Sequence, residues 1–260
     1  MVGVFDSGLG GLSVWRELIK VLPEESYCYI ADSGYCPYGP KSKEEIIDRA
    51  KKIVDFLIGR GATIVVVACN TATAAAIDYL REHYSIPFVG MEPAVKPAVL
   101  NSKSGVIGVL ATKGTFKGEL YLRTLHKFAS GVKVIEQVGE GLVEVVEDGK
   151  MESDIAYTLL NRYLSPMIES GADNIVLGCT HYPFLINQIN RITKGSINII
   201  NPAPAIAKRA LSLCKSLEGL EHDNTLLFYT TGSSILLLKR MVEEINPLCL
   251  NSATFDTIVL

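Results

Sequence analysis

Apolar residues in this chain fall in short runs, many of them rich in β-branched side chains. The runs at 2–5, 27–31, 65–67, 105–110, 132–136, 174–177, 197–200 and 226–229 are nearly continuous rather than alternating. That pattern predicts strands buried on both faces. A short strand at 87–90 and a final one near the end complete the set. Between them, 12–22, 42–59, 72–80, 152–170 and 234–245 have helical composition or spacing. Ser42 with Glu45 makes a capping box at the start of the second of these helices. Strands alternating with helices predict parallel sheets. Proline-rich passages at 91–97 and 201–204 read as crossings between domains. The expected fold is therefore α/β, with two similar parallel-sheet domains and an active site at their interface. The first domain is discontinuous, 1–93 plus 205–260, and the second is 94–204.

Two of the strands end alike. Val65-Val66-Val67-Ala68-Cys69-Asn70-Thr71 and Ile175-Val176-Leu177-Gly178-Cys179-Thr180-His181 each run strand, cysteine, polar residues, helix. A thiol at a helix N-terminus meets free N–H groups and a partial positive charge, which favour the thiolate. Either cysteine alone reads as an ordinary buried one. The matched pair points to function, one thiol from each half. Asp6-Ser7-Gly8-Leu9-Gly10-Gly11 follows the first strand. Its glycines let backbone approach a ligand at a helix start, a usual anion site. Their spacing is not that of a dinucleotide fingerprint. Asp6 reads either as a helix cap or as a holder of a substrate ammonium. Asp32 to Pro40 is rich in turn formers and offers backbone N–H groups to a ligand.

Composition narrows the classes. With 260 residues, 48% of them hydrophobic, the chain can bury a large core. A net charge of −3 argues against nucleic-acid binding. No apolar run is long enough for a membrane span. The first residues form a strand pattern rather than a signal peptide, so the expected location is the cytoplasm. Six cysteines without a C-x-x-C pair are expected to stay reduced there.

Four chemistries compete for the cysteine pair. A Cys–His acyl-transfer nucleophile leaves Cys69 unexplained. Zinc held by Cys69, Cys179 and His181 fits the neighbouring Asn70, Thr71 and Thr180 poorly. Redox pairs usually lie close in sequence. The fourth places a thiol on each side of a substrate carbon, one removing a proton and the other returning one. That is stereoinversion without a cofactor or metal, and it alone needs two equivalent sites.

Five stretches resemble the aspartate/glutamate racemase superfamily, and its glutamate racemases in particular. They are Gly3 to Gly11, Cys36-Pro37-Tyr38-Gly39, Ala68-Cys69-Asn70-Thr71-Ala72, Gly108-Val109-Leu110-Ala111-Thr112 with Thr115, and Gly178-Cys179-Thr180-His181-Tyr182-Pro183. Cys-Thr-His rather than Cys-Thr-Glu separates the glutamate enzymes from their aspartate relatives. The resemblance implies interconversion of L- and D-glutamate, with D-glutamate going to peptidoglycan. It implies that Cys69 removes the α-proton of D-glutamate and Cys179 that of L-glutamate. Asp6 and His181 match the polar partners of the two thiols, and Glu147 matches a family glutamate near the site. Asp6, Ser7, Pro37, Tyr38, Gly39, Asn70, Thr71, Thr112, Thr115, Thr180 and His181 match substrate contacts. Tyr35 and Gly118 depart from the family's common Arg and Ser. Members are often dimers, so a homodimer is expected. A racemase for aspartate or another small amino acid, and a non-catalytic amino-acid-binding protein, stand as the alternatives.

Overall fold

The computed structural model describes residues 1–216 and 224–260. Its strands are β1 (Val2–Asp6), β2 (Tyr27–Ala31), β3 (Ile64–Val67), β4 (Phe88–Gly90), β5 (Val106–Ala111), β6 (Lys133–Val138), β7 (Asn174–Gly178), β8 (Asn198–Ile200), β9 (Leu226–Thr230) and β10 (Ala253–Thr257). The helices are α1 (Leu12–Val21), α2 (Lys43–Gly59), α3 (Asn70–His83), α4 (Val95–Asn101), α5 (Lys113–Phe116), α6 (Glu119–Phe128), α7 (Leu142–Glu147), α8 (Asp154–Glu169), α9 (Ile186–Thr193), α10 (Ala203–Cys214) and α11 (Ile235–Ile245).

All pairings are parallel, and the strands form two sheets. One runs β10-β9-β2-β1-β3-β4, the other β6-β5-β7-β8. The run β2-β1-β3-β4 repeats the order of β6-β5-β7-β8. In each, the chain steps from its first strand to one side, then crosses back to the other. The fold is the α/β pair of similar domains that the alternating pattern predicts.

Strands β1, β2, β3 and β7 are buried at every position. Such strands need helices on both faces, and that is why their apolar runs are continuous. Alternation along the strand sends Val2, Val4, Ile64 and Val66 to one core with Trp15 and Leu18 of α1. Phe5, Val65 and Val67 go to the opposite core, with Ile53 and Leu57 of α2. The first core does not stop at the domain boundary. It continues through Leu110, Leu142, Val146 and Tyr182 of the second sheet's layer. Each large apolar side chain buried this way contributes about 1.5–3 kcal/mol, so the two domains share an apolar seam.

The capping box forms as expected: Ser42 Oγ accepts from the Glu45 N–H, and Glu45 returns a bond to the Ser42 N–H. The apolar run at 142–147 is a helix, α7, with Glu144 exposed among buried neighbours. It starts after Gly141, whose φ of 80° is easy for glycine and strained for other residues. This short helix carries Glu147 to the domain interface. Among the described residues no helix is long and apolar enough to cross a membrane.

Candidate active site

Each sheet has a switch point beside its first strand, between β1 and β3 in one and between β5 and β7 in the other. The crevice outside the carboxyl ends at such a point is where open α/β sheets hold ligands. Register brings chemistry to both. Phe5 pairs with Val67, so Ser7 and Cys69 emerge side by side. Ala111 pairs with Gly178, so Thr112 and Cys179 emerge side by side. The two edges meet across the domain interface.

Cys69 is the N-cap of α3. Its sulfur accepts the Ala72 N–H at 3.4 Å, and its thiol donates to Ser7 Oγ at 3.6 Å. Burial pushes the thiol up to about 12, and the nearby charges of Asp6 and Cys179 add to the rise. The Ala72 N–H and the Ser7 hydroxyl pull the other way and lose. The expectation that a helix start makes Cys69 a ready thiolate is therefore corrected: desolvation outweighs the helix terminus here. Both Cys69 and Cys179 are free thiols.

Cys179 has a different neighbour. His181 Nδ1 lies 3.7 Å from its sulfur, and His181 Nε2 lies 2.7 Å from Glu147 Oε1. Burial opposes charge on this imidazole. Hydrogen bonds with Cys179, Cys36 and Glu147 outweigh it and hold the His181 pKa well above its ordinary value. Glu147 is steadied in turn by the Leu9 N–H on Oε1 and by the Ser33 hydroxyl on Oε2 at 3.0 Å.

Asp6 is fully buried and links the two edges. Its Oδ1 accepts from Thr180 Oγ1 at 2.9 Å, and its Oδ2 from the Gly8 N–H at 3.0 Å. Burial raises its pKa, and the positive charge of His181 offsets part of the rise. It caps no helix, because α1 starts from Gly11 without a side-chain cap. The glycines beside it serve a purpose the sequence reading did not assign. A Cβ on Gly8 would sit 2.1 Å from Glu147 Oε1, and one on Gly10 2.3 Å from His181 Nδ1. The loop's bareness makes room for the partner domain's side chains.

Hydroxyls close the rest of the seam. Thr71 and Thr112 share a hydrogen bond at 2.8 Å, Thr112 and Thr115 one at 3.0 Å, and Thr115 donates to the Gly178 carbonyl at 3.4 Å. Asn70 opens α3 with only 3% of its surface exposed, and neither atom of its amide has a partner. Tyr38 is buried, and its hydroxyl is turned to Asp32, which Arg49 grips with two bonds of 2.6 and 3.0 Å. The Tyr38 hydroxyl is thus engaged within the first domain. Pro37 and Gly39, with Thr112 and Glu140, line a cavity of about 290 Å³. Gly39 and Thr71 also border one of about 420 Å³ carrying Lys41, Lys43, Lys113 and Lys117.

Against known proteins, residues 4–210 match the model of the Asp/Glu/hydantoin racemase family. The chain belongs to that family. Among curated relatives, a glutamate racemase from Methylococcus capsulatus is 49% identical over 264 residues, 98% of this chain and 97% of its own. One from Herpetosiphon aurantiacus is 47% identical over 212 residues, 82% of this chain and 84% of its own. Among solved structures, a glutamate racemase isoform from Bacillus anthracis superposes with a TM-score of 0.85 at 35% identity, covering 100% of this chain and 97% of the other. The Escherichia coli glutamate racemase, crystallised with L-glutamate and an activator, gives 0.88 at 30% identity, covering 99% and 97%.

The two departures from this racemase family's pattern have local explanations. The Arg49 guanidinium lies 3.8 Å from the centre of the Tyr35 ring, so an arginine lies beside position 35 although none stands in it. A Cβ on Gly118 would come within 2.7 Å of the Ala74 Cβ, so glycine suits the close contact with α3. Sequence reasoning missed Ser33 and Cys36, which reach Glu147 and His181. It also missed Ser13, which donates to the Thr180 carbonyl at 2.8 Å. For Ser33 a signal existed: Asp32-Ser33-Gly34 at the end of β2 repeats Asp6-Ser7-Gly8 at the end of β1.

Proposed function

We propose that this chain interconverts L- and D-glutamate by proton transfer at Cα between Cys69 and Cys179. The observation that carries the reading is topological. The two thiols end the third strands, β3 and β7, of two repeats of one strand order, whose carboxyl edges face each other. A substrate carbon between them meets one sulfur on each face. The Cα–H bond breaks toward one sulfur, the carbanion is planar, and the other sulfur delivers a proton from the opposite side. The cofactor count in this scheme is zero.

The neighbours assign directions. A cationic imidazole 3.7 Å from Cys179 stabilises negative charge on that sulfur. Cys69, pushed up to about 12, holds its proton. One thiolate and one thiol are the states needed to take the proton of L-glutamate at Cys179 and return one from Cys69. The reverse direction uses the opposite pair of states. Asp6 and Glu147 act through the polar atoms they hold, Asp6 through Thr180 and Glu147 through His181. Asn70, the Pro37-Tyr38-Gly39 backbone, Ser7 and the Thr71, Thr112, Thr115 and Thr180 group provide donors for the two carboxylates and the ammonium. A site built on such donors rejects a substrate that leaves them unpaired, so aspartate should turn over poorly. The glutamate named with the Escherichia coli relative supports the same substrate class. The working unit is two domains, 1–93 with 205–260 and 94–204, in a cytoplasmic homodimer supplying D-glutamate for peptidoglycan.

The test is L-glutamate in heavy water, stopped early. The D-glutamate formed should carry deuterium at Cα while unreacted L-glutamate stays largely unlabelled, and the reverse reaction should behave alike. Early product that keeps its own proton rejects the two-thiol scheme. Equal rates with aspartate reject the substrate.

A further inference from the structure

The proton-transfer scheme leaves Cys36 without a task. It follows β2 after the turn Ser33–Tyr35, in the first domain, and is half-buried. One donor atom each from Cys36, Glu147 and His181 lie within 4.8 Å of one another. Among the described residues this is the one trio of His, Cys, Asp or Glu side chains so close.

We propose that Cys36, His181 and Glu147 form a binding site for a zinc-class divalent ion, and that an ion held there inhibits racemisation. A thiolate, an imidazole and a carboxylate suit zinc, which takes mixed sulfur, nitrogen and oxygen ligands in a tetrahedron. They do not suit magnesium or calcium, which prefer all-oxygen cages. Three protein ligands leave the fourth position to water. Access exists, because Cys36 and Glu147 are half-buried while His181 is enclosed. The outer shell is in place too. Ser33 Oγ and the Leu9 N–H orient the Glu147 carboxylate, the kind of support that fixes a metal ligand.

The inhibition follows from what the ion displaces. Binding releases the Cys36 thiol proton and the proton between His181 Nε2 and Glu147, both to solvent. The ring that lies 3.7 Å from Cys179 is then fixed by the ion instead of by its hydrogen bond to Glu147. The ligands also come from both domains, Cys36 from the first and Glu147 and His181 from the second, so the ion staples the two together. Inhibition rests on the racemase reading; binding does not.

The experiment separates them. Metal-free protein is titrated with Co²⁺, which reports thiolate ligation by a near-ultraviolet charge-transfer band and four-coordination by strong visible bands. One ion per chain is expected, displaced by Zn²⁺, with a raised unfolding temperature. Cys36→Ser should lose the charge-transfer band and bind at least about tenfold more weakly. Glu147→Gln should keep the band at reduced affinity, which preserves the test if the first variant does not fold. Racemisation is then compared for each protein with and without Zn²⁺. Zinc should inhibit the wild type reversibly, with chelator restoring the rate, and should inhibit Cys36→Ser only at tenfold or higher concentration. A cobalt band that survives in Cys36→Ser and vanishes in Cys179→Ser overturns the site, as does equal inhibition of both proteins or no binding at all. If chelated wild type does not racemise glutamate, the functional reading fails while the cobalt result still decides the metal site.

Discussion

Cys69 and Cys179 hold the same place in two copies of one strand order, but their surroundings differ. Cys69 sits against a hydroxyl and a peptide N–H, with the Asp6 carboxylate nearby. Cys179 sits against an imidazole that a glutamate backs from behind. Topology sets where each thiol stands, and neighbours set what surrounds it. A pair of identical thiols in identical settings would compete for the same protonation state. The asymmetry gives the two thiols different partners, which is what the proposed reaction, with a donor and an acceptor, would require. The same contrast runs to the far ends of the strands. β7 begins after Asp173, which accepts from Ser102 Oγ and the Ser104 N–H at 2.8 Å each. β3 begins after Thr63, with no carboxylate there.

The largest effect tests the shared position. Cys69→Ala and Cys179→Ala should each lower racemisation at least about 10³-fold in both directions, measured by circular dichroism of either enantiomer. A variant that still racemises well breaks the symmetry of roles. Next comes the contact between the halves. Gly10→Ala drives a methyl into the His181 ring, and a misplacement near 1 Å costs about 10²-fold. Circular dichroism in the far ultraviolet should remain native while kcat falls; unchanged kcat would mean the loop has room to spare.

The asymmetry itself is tested by a matched pair. His181→Asn removes a charge-assisted bond and should slow turnover by about 10-fold to 100-fold, with an altered pH profile. Ser7→Ala removes a neutral one and should cost about 2-fold to 10-fold, with the profile kept. Equal losses would say that the two thiols are supported alike. The smallest effect lies at the strand starts. Burial alone would raise Asp173, but bonds from Ser104, Ser102, Lys103 and Asn174 hold it well below the usual carboxylate range. Its folded pKa is thus depressed, so its stabilisation is complete above the ordinary range and fades as pH falls through the folded value. Asp173→Asn should lower the unfolding temperature by about 2–4 °C at neutral pH, leave kcat alone, and show a shrinking gap to wild type in acid. A constant gap would remove the charge from the explanation.

Much of this was legible beforehand because the signals were local. Continuous β-branched runs marked β1, β3 and β7, and the Ser42 box marked the start of α2, since each depends on neighbours in sequence. The repeated strand–cysteine motif located both thiols for the same reason. What escaped depends on three-dimensional enclosure. Nothing local to Cys69 says that Tyr38 and the α3 turn will shut out water and reverse the effect of a helix start. Nothing near Gly10 says that its neighbour is residue 181. The run at 142–147 was too short to separate helix from strand by period, so the route of Glu147 to the interface stayed hidden.

Asn70 gives the folded chain a standing handicap. A buried amide with neither oxygen nor nitrogen engaged costs about 1–3 kcal/mol relative to a satisfied one. The folded chain is therefore held below the stability its packing would otherwise reach. A ligand that engages the amide recovers that energy in addition to its own contacts, whereas one that merely fills the space does not. On the proposed reading, selection for the right small molecule is thus written into the fold itself as tension at one side chain.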